Sequence, residues 1–363
     1  MNQNNYCVIM AGGVGSRFWP LSRTARPKQF IDILGVGETL IQQTFRRFEV
    51  ICPRENIYIV TNEIYKDLVH EQIPGLNDDQ VICEPSRRNT APCIAYANYK
   101  ILARNPEANI VVAPSDHIVL REDVFTEVIN LAMEASSETG ALLTIGIQPS
   151  RPETGYGYIQ FDESQASKIH PQIHKVKIFT EKPNLEMAKQ LVESGEFLWN
   201  SGIFIWKLSS IMQEFETSLP EINDLFKSGM GLYNTPEETA FIKNIYEQSK
   251  SISVDYGIME KASNVLVFAA DFGWSDLGTW GSLYDIRDKD KNGNTIVGRN
   301  VMTYDSKNCI INMPKDKLVV IEGLEDYIIV ENDNVLLICK KQDEQEIRQF
   351  VTDVQAEKGD RFV

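Results

Sequence analysis

The sequence predicts an α/β protein: a mostly parallel sheet wrapped by helices, followed by a smaller β-rich C-terminal region. Three observations predict it. Short apolar, β-branched runs alternate with helical patterns from Tyr6 to Ile147. A polar, turn-rich stretch, DIRDKDKNGN, occupies 285 to 294. Beyond it the apolar runs TIVGRNVMTYD, CIINM, KLVVIEG and DYIIVENDNVLLICK follow one another without helical periodicity, until a closing helix begins near Glu344.

In chain order, the strand YCVIM (6 to 10) is followed by a glycine loop and then by the helical pattern TLIQQTFRRFEV. NIYIVT leads into EIYKDLVHEQI, QVICE into APCIAYANYKILARN, and NIVVAP into DVFTEVINLAMEASS, before ALLTIGI closes the series. Helices inserted between successive strands demand crossover connections, which make the strands parallel. Ligands of such sheets bind beyond the carboxyl ends of the strands. That rule puts three segments on one edge, because each directly follows a strand: AGGVGSR, EPSRRNTAP and APSDH. The composition change divides the chain into residues 1–287 and 288–363. No low-complexity segment or evident internal repeat interrupts it.

With 363 residues, 43% of them hydrophobic, the chain can bury a substantial core. Its formal net charge of -15 argues against nucleic-acid binding, which needs a basic face to displace condensed counterions. No apolar run approaches the ~20 residues that cross a bilayer, and MNQNNYCVIM has neither a basic nor a long apolar leader region. The expectation is a cytoplasmic protein without a membrane partner. The six cysteines are scattered, with no CxxC spacing, and read as thiols.

The segment MAGGVGSRFWPLSRTARPKQF (10 to 30) stands out against this acidic background. It carries Gly12, Gly13 and Gly15, then Arg17, Arg23, Arg26 and Lys28, and the first acid of the chain is Asp32. A dinucleotide fingerprint would need glycine where Phe18 stands, and a Walker loop would need GK[ST]. The remaining physical reading is a phosphate cradle. Residues without side chains let backbone N–H groups approach phosphate oxygens, while Arg17 and Lys28 add positive charge; a nucleoside triphosphate fits.

GGVGSRFWPLSRTARPKQF resembles the signature of the sugar-1-phosphate nucleotidylyltransferases, in the branch of the mannose-1-phosphate guanylyltransferases. The resemblance continues, in order, through EPSRRNTAP (84 to 92), APSDH (113 to 117), TGYGYI (154 to 159), FTEKP (179 to 183), WNSGIFIW (199 to 206), VDYGIMEK (254 to 261) and FGWSDLGTW (272 to 280). It implies a Rossmann-like nucleotide-diphospho-sugar transferase domain with a left-handed β-helix-like C-terminal domain. It also implies GMP transfer from GTP to α-mannose 1-phosphate with Mg²⁺, and a homodimer. Phe18 departs from the leucine more usual in the family. Many relatives carry a fused isomerase domain after the β-rich part; the sequence stops before one, so isomerase activity is not expected.

That chemistry suits the residue types. A sugar phosphate is largely a dianion near neutral pH, its second pKa being ~6, so it attacks phosphorus without a general base. The obstacle is anion meeting anion, and catalysis becomes positioning and charge neutralisation. Arg17 and Lys28 are expected on the triphosphate, alongside the backbone of Ala11, Gly12, Gly13 and Gly15. Lys182 is expected to hold the sugar phosphate and the α-phosphate together. Mg²⁺ prefers oxygen ligands, and the resemblance assigns it Asp116 and Asp276. Asp288, Asp290, Asn292 and Gly293 imitate a calcium loop, but its twelfth position is Arg299. The resemblance places Glu181, Asn200, Asp255 and the backbone of Gly155 on the hexose. For guanine, whose N1–H and amine both donate, Glu84 is the natural acceptor, with Asn89 nearby. A noncatalytic regulatory relative, or an enzyme for another hexose phosphate or base, remains an alternative.

Overall fold

Residues 2–167 and 169–363 are described by a computed structural model. Its strands are β1 (Asn5–Met10), β2 (Ile57–Asn62), β3 (Val81–Glu84), β4 (Asn109–Pro114), β5 (Ile118–Val119), β6 (Leu142–Ile147), β7 (Gly157–Ala166), β8 (Ile173–Glu181), β9 (Phe197–Lys207), β10 (Val265–Ala270) and β11 (Trp274–Ser275). The C-terminal region adds β12 (Thr295–Val297), β13 (Asn300–Tyr304), β14 (Ile310–Asn312), β15 (Leu318–Glu322), β16 (Tyr327–Asn332) and β17 (Val335–Lys340). The chain divides into two compact units. One comprises 1–12, 42–115 and 119–274; the other comprises 13–41, 116–118 and 275–363. The division at 287/288 follows composition along the chain, whereas these units are discontinuous in sequence.

The first unit is built on a nine-stranded sheet in the order β3-β2-β1-β4-β9-β6-β10-β8-β7. The expected crossovers are present. β1 lies parallel between β2 and β4, β3 lies parallel to β2, and β10 lies parallel to β6. Around β9 the sheet is antiparallel: this eleven-residue strand runs against β4, β6 and β7, and β8 runs against β7 and β10. The sheet is therefore mixed: β9, which follows the helix Leu185–Ser194, enters its middle against the direction of its neighbours. Cys7, Val8 and Ile9 are fully buried, as a continuous apolar run in a covered central strand should be. The helix Thr90–Leu102, which follows β3, is buried on all its faces, with small residues Ala91, Ala95 and Ala97 admitting close neighbours. Its one charge, Lys100, is paired with Asp79 and Glu238, each at 2.7 Å.

In the second unit the chain winds in parallel rungs. β12, β14 and β16 stack parallel, with β17 antiparallel at the edge, and β13 stacks on β15. Asn300 pairs with Leu318, Lys307 with Glu325, and Ile310 with Ile328, all at one interval, whereas Thr295 pairs with Ile310 at a shorter one. This repeat is invisible in residue types. Asp305, Asn308, Asp326 and Asp333 adopt positive φ between the strands, where short polar side chains tolerate the left-handed region. Cys309, Ile311, Met313, Ile321 and Ile329 fill the coil. A second core joins Phe18, Trp19, Ile33 and Leu40 to Leu277, Trp280, Ile310, Ile328, Val330 and Ile347. The segment carrying the cationic loop is thereby packed with the C-terminal strands and the closing helix Ile347–Lys358.

Candidate active site

In the second unit, Gly15 turns the chain with φ 69°, and a side chain here would collide with Lys28, the nearest carbon lying 2.5 Å from a Cβ. The Ser22 hydroxyl donates to the Gly15 carbonyl at 2.5 Å and the Lys28 N–H to that of Val14 at 3.3 Å, which closes the loop on itself. Lys28 is 4% exposed. Its ammonium meets the Asp116 carboxylate at 2.8 Å and donates to the carbonyls of Asp276 at 2.9 Å and Leu277 at 3.0 Å. Burial would raise the Asp116 carboxyl, but Lys28 and then His117 outweigh it and hold it below the usual carboxylate value. The Asp276 carboxylate accepts from the N–H of Gly278 at 2.9 Å, in a turn where Leu277 is forced to φ 46°. APSDH, PKQF and GWSDLG, far apart in sequence, thus meet at one ammonium.

The four cations of the loop do different work. Arg23 donates to the Pro20 and Asn332 carbonyls and to the Asn334 amide, and Arg26 to the Phe30 carbonyl, so both are tethers. The Arg17 Nε is buried without a hydrogen-bond partner. Among the described residues no cluster of three potential metal ligands occurs. Two hard carboxylates, Asp116 and Asp276, suit Mg²⁺ whose remaining ligands are water and substrate phosphates. Asp290, in the calcium-loop imitation, accepts from the N–H groups of Asn292 and Asn294, each at 2.8 Å, and is a turn former.

The first unit holds the other candidates. Glu84, at the end of β3, is 8% exposed; its Oε1 accepts from the Tyr246 hydroxyl at 2.6 Å. A Cβ on Gly12 would lie 3.6 Å from its Oε2. Burial pushes its carboxyl up to about 7, against the pull of Tyr246 and Arg87. Tyr246 is in no motif, and nothing in the sequence singled it out. Asn89, with φ 66°, caps the helix Thr90–Leu102 by accepting from the Thr90 N–H at 2.9 Å. No hydrogen bond joins it to Glu84 among the described residues. A carboxyl raised in the folded state contributes stability that is complete below its unfolded value of about 4.5 and is lost as pH rises through about 7. Glu84→Gln keeps the acceptor for Tyr246 without the buried charge. It is expected to be more stable than wild type by up to ~3 kcal/mol at pH 8, and nearly equal at pH 4. Denaturant midpoints at the two pH values check this; a gap independent of pH overturns it.

Farther along the same unit, β7, β8 and β9 bring together Glu181, Lys182 and Asn200. Asp255 starts the π-helical turn Asp255–Met259 and joins them. Asn200 donates to Asp255 at 2.8 Å and accepts from the Thr144 hydroxyl at 3.1 Å, which fixes its amide orientation. Glu181 pairs with Lys182 through one oxygen; the other is buried without a partner. A side chain at Gly157 would run into that second oxygen. Burial, then the nearby Glu181 charge, push Asp255 up to about 6. Lys182 holds φ 48°, and its N–H donates to the Tyr156 carbonyl at 3.1 Å. Gly155 donates its N–H to Glu153 at 3.1 Å. The Tyr156 ring packs edge-on against Trp199 and Trp274, while Trp206 and Trp280 are core.

The nucleotidyl transferase family model matches residues 6–293. The chain belongs to the nucleotidyl transferase family. A second model, the MannoseP isomerase/GMP-like beta-helix domain, matches residues 298–354, in agreement with the parallel rungs. A mannose-1-phosphate guanylyltransferase of Escherichia coli K12 is 36% identical over 363 residues, covering 97% of this chain and 74% of that protein. The alginate biosynthesis protein AlgA of Pseudomonas aeruginosa is 35% identical over 356 residues, covering 96% and 72%. A crystal structure described as a mannose-1-phosphate geranyltransferase from Thermus thermophilus superimposes with a TM-score of 0.86 at 27% identity, covering 97% of this chain and all of that one. Within the nucleotidyl transferases, these relatives bear out the branch read from the motifs.

Proposed function

We propose that this chain transfers GMP from GTP to α-D-mannose 1-phosphate, giving GDP-mannose and pyrophosphate. The observation that carries the reading is the meeting of Lys28, Asp116 and the Asp276 loop, a charge arrangement suited to a polyphosphate and a divalent cation. An oxygen of the sugar phosphate forms the new bond to the α-phosphorus, and the bond from that phosphorus to the bridging oxygen breaks as pyrophosphate leaves. Arg17 and Lys28 take up the triphosphate charge beside the loop amides of Ala11, Gly12, Gly13 and Gly15. Lys182 brings the sugar phosphate to the α-phosphate. Asp116 and Asp276 would hold Mg²⁺, which supplies charge neutralisation at the α-phosphate. Glu84, ionised, accepts from guanine N1–H and its amine, held by Tyr246, with Asn89 shaping the helix start alongside. Asn200, Asp255, Glu181 and the Gly155 backbone take the hexose hydroxyls; the unpartnered Glu181 oxygen is an acceptor awaiting a donor.

A matrix of nucleoside triphosphates against sugar 1-phosphates, read by pyrophosphate release, tests the proposal. GTP with mannose 1-phosphate should give the highest kcat/KM. Preference for UTP or dTTP with glucose 1-phosphate would overturn it.

A further inference from the structure

The closing helix Ile347–Lys358 begins against the turn Ser16–Phe18. Phe18 and Ile347 lie in one core, flanked by Phe350, Val351 and Val354. Arg17 and Arg348 are the chain neighbours of these two pinned residues, and their guanidinium charges act on one another. Among the described residues, no carboxylate pairs with either of them. Instead Arg17 has its buried, orphaned Nε, and Arg348 stands in the first turn of a helix, the positive pole, where a cation is disfavoured. Burial and then the charge of Arg17 push the Arg348 guanidinium down, with no acid restoring it. Two like charges on adjoining segments, one of them at a helix N-terminus, form an unfavourable arrangement that an anion would relieve.

The helix start is also fastened in place. The Glu344 carboxylate, in the turn just before it, accepts from the N–H of Gly281 at 2.8 Å, at the beginning of the helix that follows the Asp276 loop. The Trp19 indole donates to the Phe362 carbonyl at 2.7 Å, beyond the other end. These bonds fix the backbone before and after the helix, and the Arg348 side chain itself is exposed at its start.

We propose that Arg348, delivered by the C-terminal helix, is a second guanidinium for the nucleotide's polyphosphate, acting with Arg17 on the portion that departs as pyrophosphate. This rests on the reading that Arg17 faces the triphosphate. The C-terminal region then does more than support the glycine loop: it completes the anion site.

The test compares wild type with Arg348→Gln, Arg348→Lys and Arg17→Gln in the full chain. Pyrophosphate and GTP affinities are read by calorimetry, and KM is read for each substrate. Arg348→Gln should weaken pyrophosphate and GTP ~10-fold, as for loss of one charge-assisted hydrogen bond. KM for mannose 1-phosphate and the melting temperature should stay near wild type, and Arg348→Lys should recover part of the affinity. If Arg17→Gln weakens pyrophosphate and neither Arg348 variant does, Arg348 is a surface charge and the loop reading stands. If none of the three variants weakens it, the loop reading fails and the proposal with it. An equal loss for both substrates together with a lowered melting temperature would make Arg348 structural and overturn the proposal.

Discussion

Asp276→Asn should lower kcat by ~10²–10³ and leave the melting temperature of the metal-free protein close to wild type, whereas Asp116→Asn should lower both. The difference comes from what each carboxylate already does. Asp276 accepts from the N–H of Gly278, and an asparagine oxygen can accept the same bond. Its backbone carbonyl, the group that receives Lys28, is untouched. Asp116 is the counter-charge of a buried ammonium at 2.8 Å. Without it Lys28 keeps two carbonyls and no anion, a buried charge left uncompensated. On the proposed reading, each variant would remove one negative ligand from the cation that offsets charge in the transition state. Titrating Mg²⁺ against rate, beside thermal melts with and without chelator, separates the two effects. If both variants keep near-normal kcat at limiting Mg²⁺, the aspartates are structural.

Lys182→Met should lower kcat/KM for mannose 1-phosphate by ~10²–10³, with a smaller change in KM for GTP. Lys182 pairs with Glu181, and its charge lowers the Asp255 carboxyl against burial and against Glu181. Removing it leaves two carboxylates facing each other without a cation. The Asp255 pKa, about 6 in the wild type, should then rise further. Because a protonated Asp255 loses acceptor capacity for Asn200 and for a sugar hydroxyl, activity should fall on the acid side, and the variant should begin its fall at a higher pH. The pH dependence of kcat/KM from 5 to 9 measures this. An unchanged profile with unchanged kcat/KM would return Lys182 to an ordinary surface lysine.

Much of this was legible in the residues because the signals were local. Strong β-branched runs and helical periodicity placed β1 to β4 within a residue and their helices within about three, and each strand's end delivered its loop. The antiparallel insertion of β9 was not legible, since FLWNSGIFIWK is apolar enough for any central position and its direction depends on pairing. From Asn300 onward the rungs of the C-terminal region share spacing but not residue types, so their repeat emerges only from register. At the site, Lys28 and Asp116 stood in motifs, but the bond between them joins segments separated by three α-helices and three strands. Tyr246 was hidden for the opposite reason: a tyrosine in an amphipathic helix reads as core until its hydroxyl is seen on Glu84.

The discontinuity of the second unit reaches into the order of assembly. A ribosome releases Gly13 to Ile41 long before it makes Ser275 to Val363, the segment with which those residues form a compact body. Until then Phe18 and Trp19 lack their core, and Lys28 lacks the two carbonyls that fix it. The long loop closures that unite these segments add little to folding free energy but slow its attainment. A nascent chain thus stays without the formed Lys28 cluster until Asp276 and Leu277 have been made.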